Sequence, residues 1–246
     1  MTKPWADRPF SLLSTPTDTE GVEFILSLKP QETKLTEAQI SPQTVKVATE
    51  MALAHNVIVR NLNAVYLQAE GVKEAKDISD FIIFCQEFFF PRIEQYSGEK
   101  GIMDINLEQH KAFDAGLQRF NEYTKDLTPT NYDGKEIKSI INDFGPALTL
   151  HLTAEIESLL ALDKQVICCC ERDRAADVEQ YRLTPVAFGG MDNTFEGGKH
   201  TWPPIPFFVP YLVKYVLARR YAGSWRFSPC TMWGVPKELP FATDEV

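Results

Sequence analysis

Apolar residues recur at helical spacing through the middle of the chain. Val47, Met51, His55, Ile58, Leu62 and Val65 follow one another at intervals of three and four, which predicts an amphipathic helix beginning near residue 43. A second helix is predicted over about 75–96, where "DFIIFCQEFFFPRIE" is dense in aromatic residues and Pro91 is placed to kink or end it. A third is predicted over about 105–126, with His110, Phe113, Leu117 and Phe120 on one side. The fourth starts at Asp133 or Lys135 and runs to about 163, with Gly145-Pro146 predicting a kink ahead of His151. Four helices joined by connections of about 7 to 12 residues predict an all-α, up-down four-helix bundle over residues 41–165.

The flanks have a different texture. Residues 1–40 are rich in Pro, Thr and Ser with little periodicity and read as an arm laid over the bundle. Residues 166–246 are Gly- and Pro-rich ("TPVAFGGMDNTFEGGKHTWPPIPFF"), with one helix predicted over 207–221 and an aromatic-rich loop closing the chain. This part is too irregular for a core of its own and is expected to pack on the bundle as an extension.

The fourth helix poses a chemical question. In "ALTLHLTAEIESLLAL" the residues Phe144, Leu148, His151, Glu155, Leu159 and Leu162 share one face at about 3.6 residues per turn. A carboxylate on a face that should be buried costs several kcal/mol unless something compensates it. Of the four histidines, three (His55, His110 and His151) fall on the apolar stripes of three different helices. Imidazoles and a carboxylate converging from neighbouring helices make a non-haem iron, manganese or zinc site, and the i, i+4 spacing lets His151 and Glu155 reach one centre. A single histidine on an apolar face is more simply a core imidazole bonded to a carbonyl; three with Glu155 in line favour the metal. His200, in the "EGGKHTW" loop, reads as structural.

Composition narrows the setting. With 44% hydrophobic and 24% charged residues the chain has the make-up of a soluble globular protein, and a net charge of −9 speaks against nucleic acid as a partner. No run of about 18 apolar residues is available for a membrane span, and the N-terminus does not read as a secretory signal, so neither a membrane partner nor export is expected. Cys85, Cys168, Cys169, Cys170 and Cys230 are odd in number and lack the Cys-x-x-Cys spacing of zinc sites, which suits incidental thiols in a reducing, cytoplasmic setting. Motifs for nucleotide binding and for serine hydrolases are missing.

Several blocks together carry a family resemblance. "MALAHNVIVRNLNAVYLQA", "DFIIFC", "FFFPRIE", "GIMDINLEQHKAF", "FGPALTLHLTAEIESLLAL" and "WRFSPC" resemble the fungal hemerythrin-like proteins, also called the HHE cation-binding family, from Trp5 to about Leu239. The resemblance implies a four-helix bundle holding a di-iron centre, with metal-binding roles for His55, His110, His151 and Glu155. One block departs from the family pattern. Its second helix carries His-x-x-x-Glu shortly before Phe-Pro; counting back from Phe90-Pro91 places Gln86 or Cys85 where the Glu should stand and Ile82 or Phe81 where the His should stand. About a dozen residues are missing between "DFIIFC" and "EFFFP" relative to that pattern, and Glu87 is the nearest remaining carboxylate.

Without those two ligands, three His and one Glu can hold one divalent ion, so mononuclear iron is expected in preference to a di-iron pair. Metal, with dioxygen bound or sensed, is the expected partner; the oligomeric state is left open. Two alternatives stand beside this one. The first is an oxidative enzyme in which Trp202, Phe207, Trp225 and Trp233 close a pocket over the metal; the second is a metal-free scaffold in which His151 and Glu155 merely bond to neighbours.

Overall fold

The structure is a computed structural model that describes residues 5–16, 40–89, 107–161 and 185–243, with only the backbone course described at 87–89, 107–110, 185–187, 217 and 220. The described residues are all-α: α1 (Pro42–Gln68), α2 (Ala75–Ile83), α3 (Leu107–Lys125), α4 (Gly134–Ala161), α5 (Pro185–Gly190) and α6 (Val209–Tyr215), with short 3-10 turns between Phe195 and Phe227. No β-strand occurs among them; one antiparallel bridge joins Cys230 and Pro236. None of their helices is long and apolar enough to cross a membrane.

Helix α1 begins where its sequence supplies a start signal. Ser41 is extended and accepts the Thr44 N–H at 3.1 Å, and Pro42 takes the first turn, where a missing N–H costs nothing. From Ala52 to Val65 α1 is buried on every side, polar residues included, because α4, α5 and the N-terminal segment each cover part of it. Two of those polar residues hold that segment. Asn63 accepts the Phe10 N–H at 3.0 Å and donates to the carbonyls of Ala6 and Phe10; seven residues earlier, Asn56 accepts from Leu13 N–H at 2.7 Å and donates to its carbonyl at 2.8 Å. These amides satisfy backbone groups that have no strand partner. Phe10 then lies over Gly145 of α4, where an added Cβ would stand 2.4 Å from the ring.

Helix α4 starts at Asp133, whose Oδ1 accepts from Lys135 N–H at 2.9 Å. It continues through Pro146 to Ala161 as one element, so the residues around His151 stay in register with the preceding turns. The proline is tolerated because it faces outward: Pro146 and Asn142, whose carbonyl loses its helical donor, are both exposed to water. Phe144, Leu148, Leu152 and Ile156 bury against α1 and α3, and α3 contributes Phe113, Leu117 and Phe120. At the start of α4, Gly134 presses on the end of α1, where a Cβ would be 2.1 Å from the Ala69 carbonyl oxygen. Backbone cannot yield as a side chain can, so Gly134→Ala is expected to cost about 1–3 kcal/mol, read as a fall in the urea midpoint at unchanged slope.

Helix α2 differs from its expected course. After Ile83 the backbone switches to a π-helical turn over Phe84–Phe89, at the place where the family pattern breaks. Residues 90–96, including Pro91, lie outside the described residues. The helix expected over 207–221 is also interrupted: Val216 (φ −117°, ψ −64°) ends α6, and a 3-10 turn, Leu217–Tyr221, follows. The C-terminal residues Trp225, Phe227 and Leu239 are buried in the same apolar cluster as the helices. Phe227 meets the rings of Phe81 at 5.0 Å and Phe241 at 5.1 Å, and its carbonyl accepts from Gln68 Nε2 at 2.8 Å.

Candidate functional site

Glu155 faces two histidines. Its Oε2 is 3.1 Å from Nε2 of His55 on α1, and its Oε1 is 3.6 Å from Nε2 of His151, one turn earlier on α4. The three side chains are buried or nearly so, at 1%, 4% and 16% exposure. Phe113 of α3 closes one side, its ring centre 5.2 Å from that of His151.

The tautomer of His55 follows from its other bond. Nδ1 lies 3.1 Å from the Leu152 carbonyl oxygen, which can only accept, so Nδ1 carries the proton and donates it. In a neutral imidazole Nε2 then presents a lone pair, and a lone pair beside a carboxylate oxygen needs positive charge between or upon them. A second proton on His55 supplies it as an ion pair; a bound cation supplies it as shared coordination. Two donors sharing one ion at about 2.1 Å stand roughly 3.0–3.4 Å apart, close to the separations seen here. The donor types, two imidazoles and a carboxylate, are those that a divalent metal takes. Their arrangement is not that of a formed site: among the described residues no group of three or more His, Cys, Asp or Glu side chains is placed to hold an ion.

The other expected ligands are placed by backbone alone. His110 lies in α3, three residues ahead of Phe113 and hence on the same helix face, and Glu87 lies in the π-helical turn; both side chains are outside the described ones. At the α2 positions where ligands were sought, Phe81 and Ile82 belong to the apolar core. Cys85 is fully buried, and burial pushes its thiol far above the usual range, so it stays a thiol. Gln86 donates to the Thr124 carbonyl oxygen. The triplet Cys168–Cys170 lies outside the described residues.

Of the aromatic residues expected as a lid, Trp225 is buried in the core, Trp202 and Trp233 are half-buried, and Phe207 is 86% exposed and seals nothing. His200 is tied down structurally: its Nε2 lies 3.0 Å from Glu196 Oε2 and 3.1 Å from the Thr15 hydroxyl. Thr15 also donates its N–H to Glu196 Oε1 and its hydroxyl to Oε2. Burial raises the Glu196 pKa, but those bonds and His200 outweigh it and hold the carboxyl below its ordinary range.

A second buried charge carries no sequence signal. Arg60 of α1 is 1% exposed, donates to the Gly190 carbonyl at 3.3 Å and faces Asp192 at 3.6 Å, with the Phe195 ring 5.0 Å from the guanidinium and Trp5 at 6.0 Å. Burial lowers its pKa, partly countered by Cys230 and Asp192. The pair joins α1 to both flanking segments.

Comparison with known proteins adds one full-length relative. The chain is 34% identical to the dimeric xanthone biosynthesis cluster protein R11 of Cryptosporiopsis sp. (strain 8999), over 99% of this chain and 95% of the relative. This chain belongs to that protein's family. The aligned length of 265 exceeds the 246 residues of the chain, so the relative carries residues without counterparts here. No protein-family model matches the chain, and no solved structure matches it significantly.

Proposed function

We propose that the chain is a hemerythrin-like, non-haem metal-binding protein with a reduced site. In this reading α1–α4 form an up-down four-helix bundle, residues 1–40 and 166–246 are its arm and extension, and one iron is bound in preference to two. The observation that supports it is the convergence of His55, His151 and Glu155 from two helices onto one buried point. His110 is the remaining candidate ligand and Glu87 a further one. When bound, iron supplies Lewis acidity, one-electron chemistry and an open position for dioxygen. The chain's residues do the rest: Leu152 fixes the His55 tautomer, Glu155 balances the ion's charge, and Phe113 and Leu152 keep bulk water away. A cytoplasmic, reducing location belongs to the same reading, in keeping with Cys85 and Cys230 as buried free thiols. Anaerobic titration of the purified chain with ferrous ion tests it, saturation at one equivalent being the expected result.

A second reading is an oxidative enzyme of the same site acting on a phenolic precursor; the relative's name, which places that protein in a xanthone biosynthesis cluster, is compatible with such a substrate. Turnover of such a phenolic precursor with dioxygen, abolished by Glu155→Gln, distinguishes it from storage or sensing.

The shortened second helix has its own test. If it reflects residues lost from the reading frame, cDNA from the source locus is expected to contain about a dozen further codons between Cys85 and Gln86, with a His-x-x-x-Glu pair. A transcript joining the two codons directly establishes the reduced site as native.

A further inference from the structure

The short helix α6 turns an apolar face to solvent. Tyr211, Leu212 and Tyr215 share one side of α6, and Phe207, Phe208 and Val216 flank it in sequence; Phe207 is 86% exposed and the others between 45% and 59%. The opposite side is anchored by Pro210 and Val213, which are buried. Six exposed large apolar side chains within ten residues point to an interaction site. The surrounding charge says with what. From Gly197 to Lys237 the sequence has six Lys or Arg and no Asp or Glu, in a chain of net charge −9. Arg226 is spent on Asp77 and Asp80, and the half-buried Lys237 donates to backbone carbonyls, but Lys214 and Arg219 stand exposed in and just after α6.

We propose that this face is a peripheral attachment site for an anionic membrane surface, with the Phe, Tyr and Leu side chains seated at the headgroup–acyl boundary and Lys214 and Arg219 on the lipid phosphates or carboxylates. Aromatic residues with a polar edge, backed by cations, suit that boundary. A two-fold contact with a second copy would set this cationic stretch against itself, which disfavours it. The four prolines of 203–210 fix backbone angles ahead of and within the patch, so little order is lost on docking. Lying on a membrane is a separate matter from crossing one, for which none of the described helices is long and apolar enough.

Co-sedimentation of the full chain with phosphatidylcholine vesicles, with and without about 30% phosphatidylserine, tests the proposal. Binding is expected on the anionic vesicles, weaker on the neutral ones, and reduced by raising salt. Phe207→Ser with Tyr215→Ser is expected to lower partitioning about tenfold or more, and Lys214→Glu with Arg219→Glu to remove the anionic preference. All four side chains are exposed, so an unchanged far-UV helical signal confirms that each variant is folded. Failure of the parent to bind anionic vesicles at low salt overturns the proposal, as does binding that survives both double variants. A dimer that the Phe207/Tyr215 variant converts to monomer, with no vesicle binding by the parent, reassigns the face to self-association and also overturns it.

Discussion

Replacing Arg60 with alanine is expected to destabilise the fold by about 3 kcal/mol, a large share of a typical domain's margin. The substitution leaves Asp192, whose side chain is 5% exposed, without its counter-charge, and empties the space between Phe195 and Trp5. Removing one partner of a buried pair costs about 3–5 kcal/mol in general. The lower end applies because Asp192 keeps two other bonds, from Thr194 N–H at 2.8 Å and its hydroxyl at 2.6 Å. The double variant Arg60→Met with Asp192→Leu is expected to lose less than the sum of the single changes, since no isolated charge remains. Urea unfolding of the four proteins measures this. A cost below about 1 kcal/mol for Arg60→Ala would mean that water solvates Asp192 and the pair is not the buried clamp described above.

Glu155→Gln is expected to weaken metal retention at least about tenfold while leaving the helical signal intact. The amide has nearly the same shape, so packing against His55, His151 and Phe113 survives. It loses the charge that a divalent ion needs and brings an NH₂ toward an imidazole Nε2. His55→Ala is expected to act in the same direction with an added stability cost, because it removes a fully buried ring and leaves the Leu152 carbonyl without that donor. Metal is also expected to leave as pH falls, since protons compete for the same nitrogens and oxygens. If the site is a metal-free scaffold, Glu155→Gln is instead neutral or stabilising in a melting experiment, because it removes a buried charge.

The helical segments were legible because their burial is one-sided or regular. The stripe of Phe113, Leu117 and Phe120 and that of Phe144, Leu148, His151 and Glu155 map directly onto buried faces of α3 and α4. Periodicity also placed Glu155 one turn from His151, whereas the His55 contact depends on how α1 lies against α4. The π-helical turn was not legible, because one register shift within a helix leaves the apolar spacing almost unchanged. Pro146 did not end the helix, because its outward face leaves the freed Asn142 carbonyl in water, a matter of facing rather than of residue type. Arg60 and Asp192 are 132 positions apart in a chain full of charges, so only the packed structure singles them out. The Asn56 and Asn63 side chains were likewise silent until the N-terminal segment supplied the backbone groups that they bind.

The central claim is that one metal ion, and not two, is held where His55, His151 and Glu155 converge. Elemental analysis of the full chain reconstituted with ferrous ion under argon and then exposed to air tests it most directly, with the Glu155→Gln and His55→Ala variants run in parallel. About one iron per parent chain is expected, well under one in each variant, and no oxo-bridged pair absorption in the near ultraviolet. Two irons per chain with a bridged-pair spectrum would contradict it and require Glu87 or a further residue to complete a di-iron site; no retained iron in the parent would contradict it in favour of the scaffold.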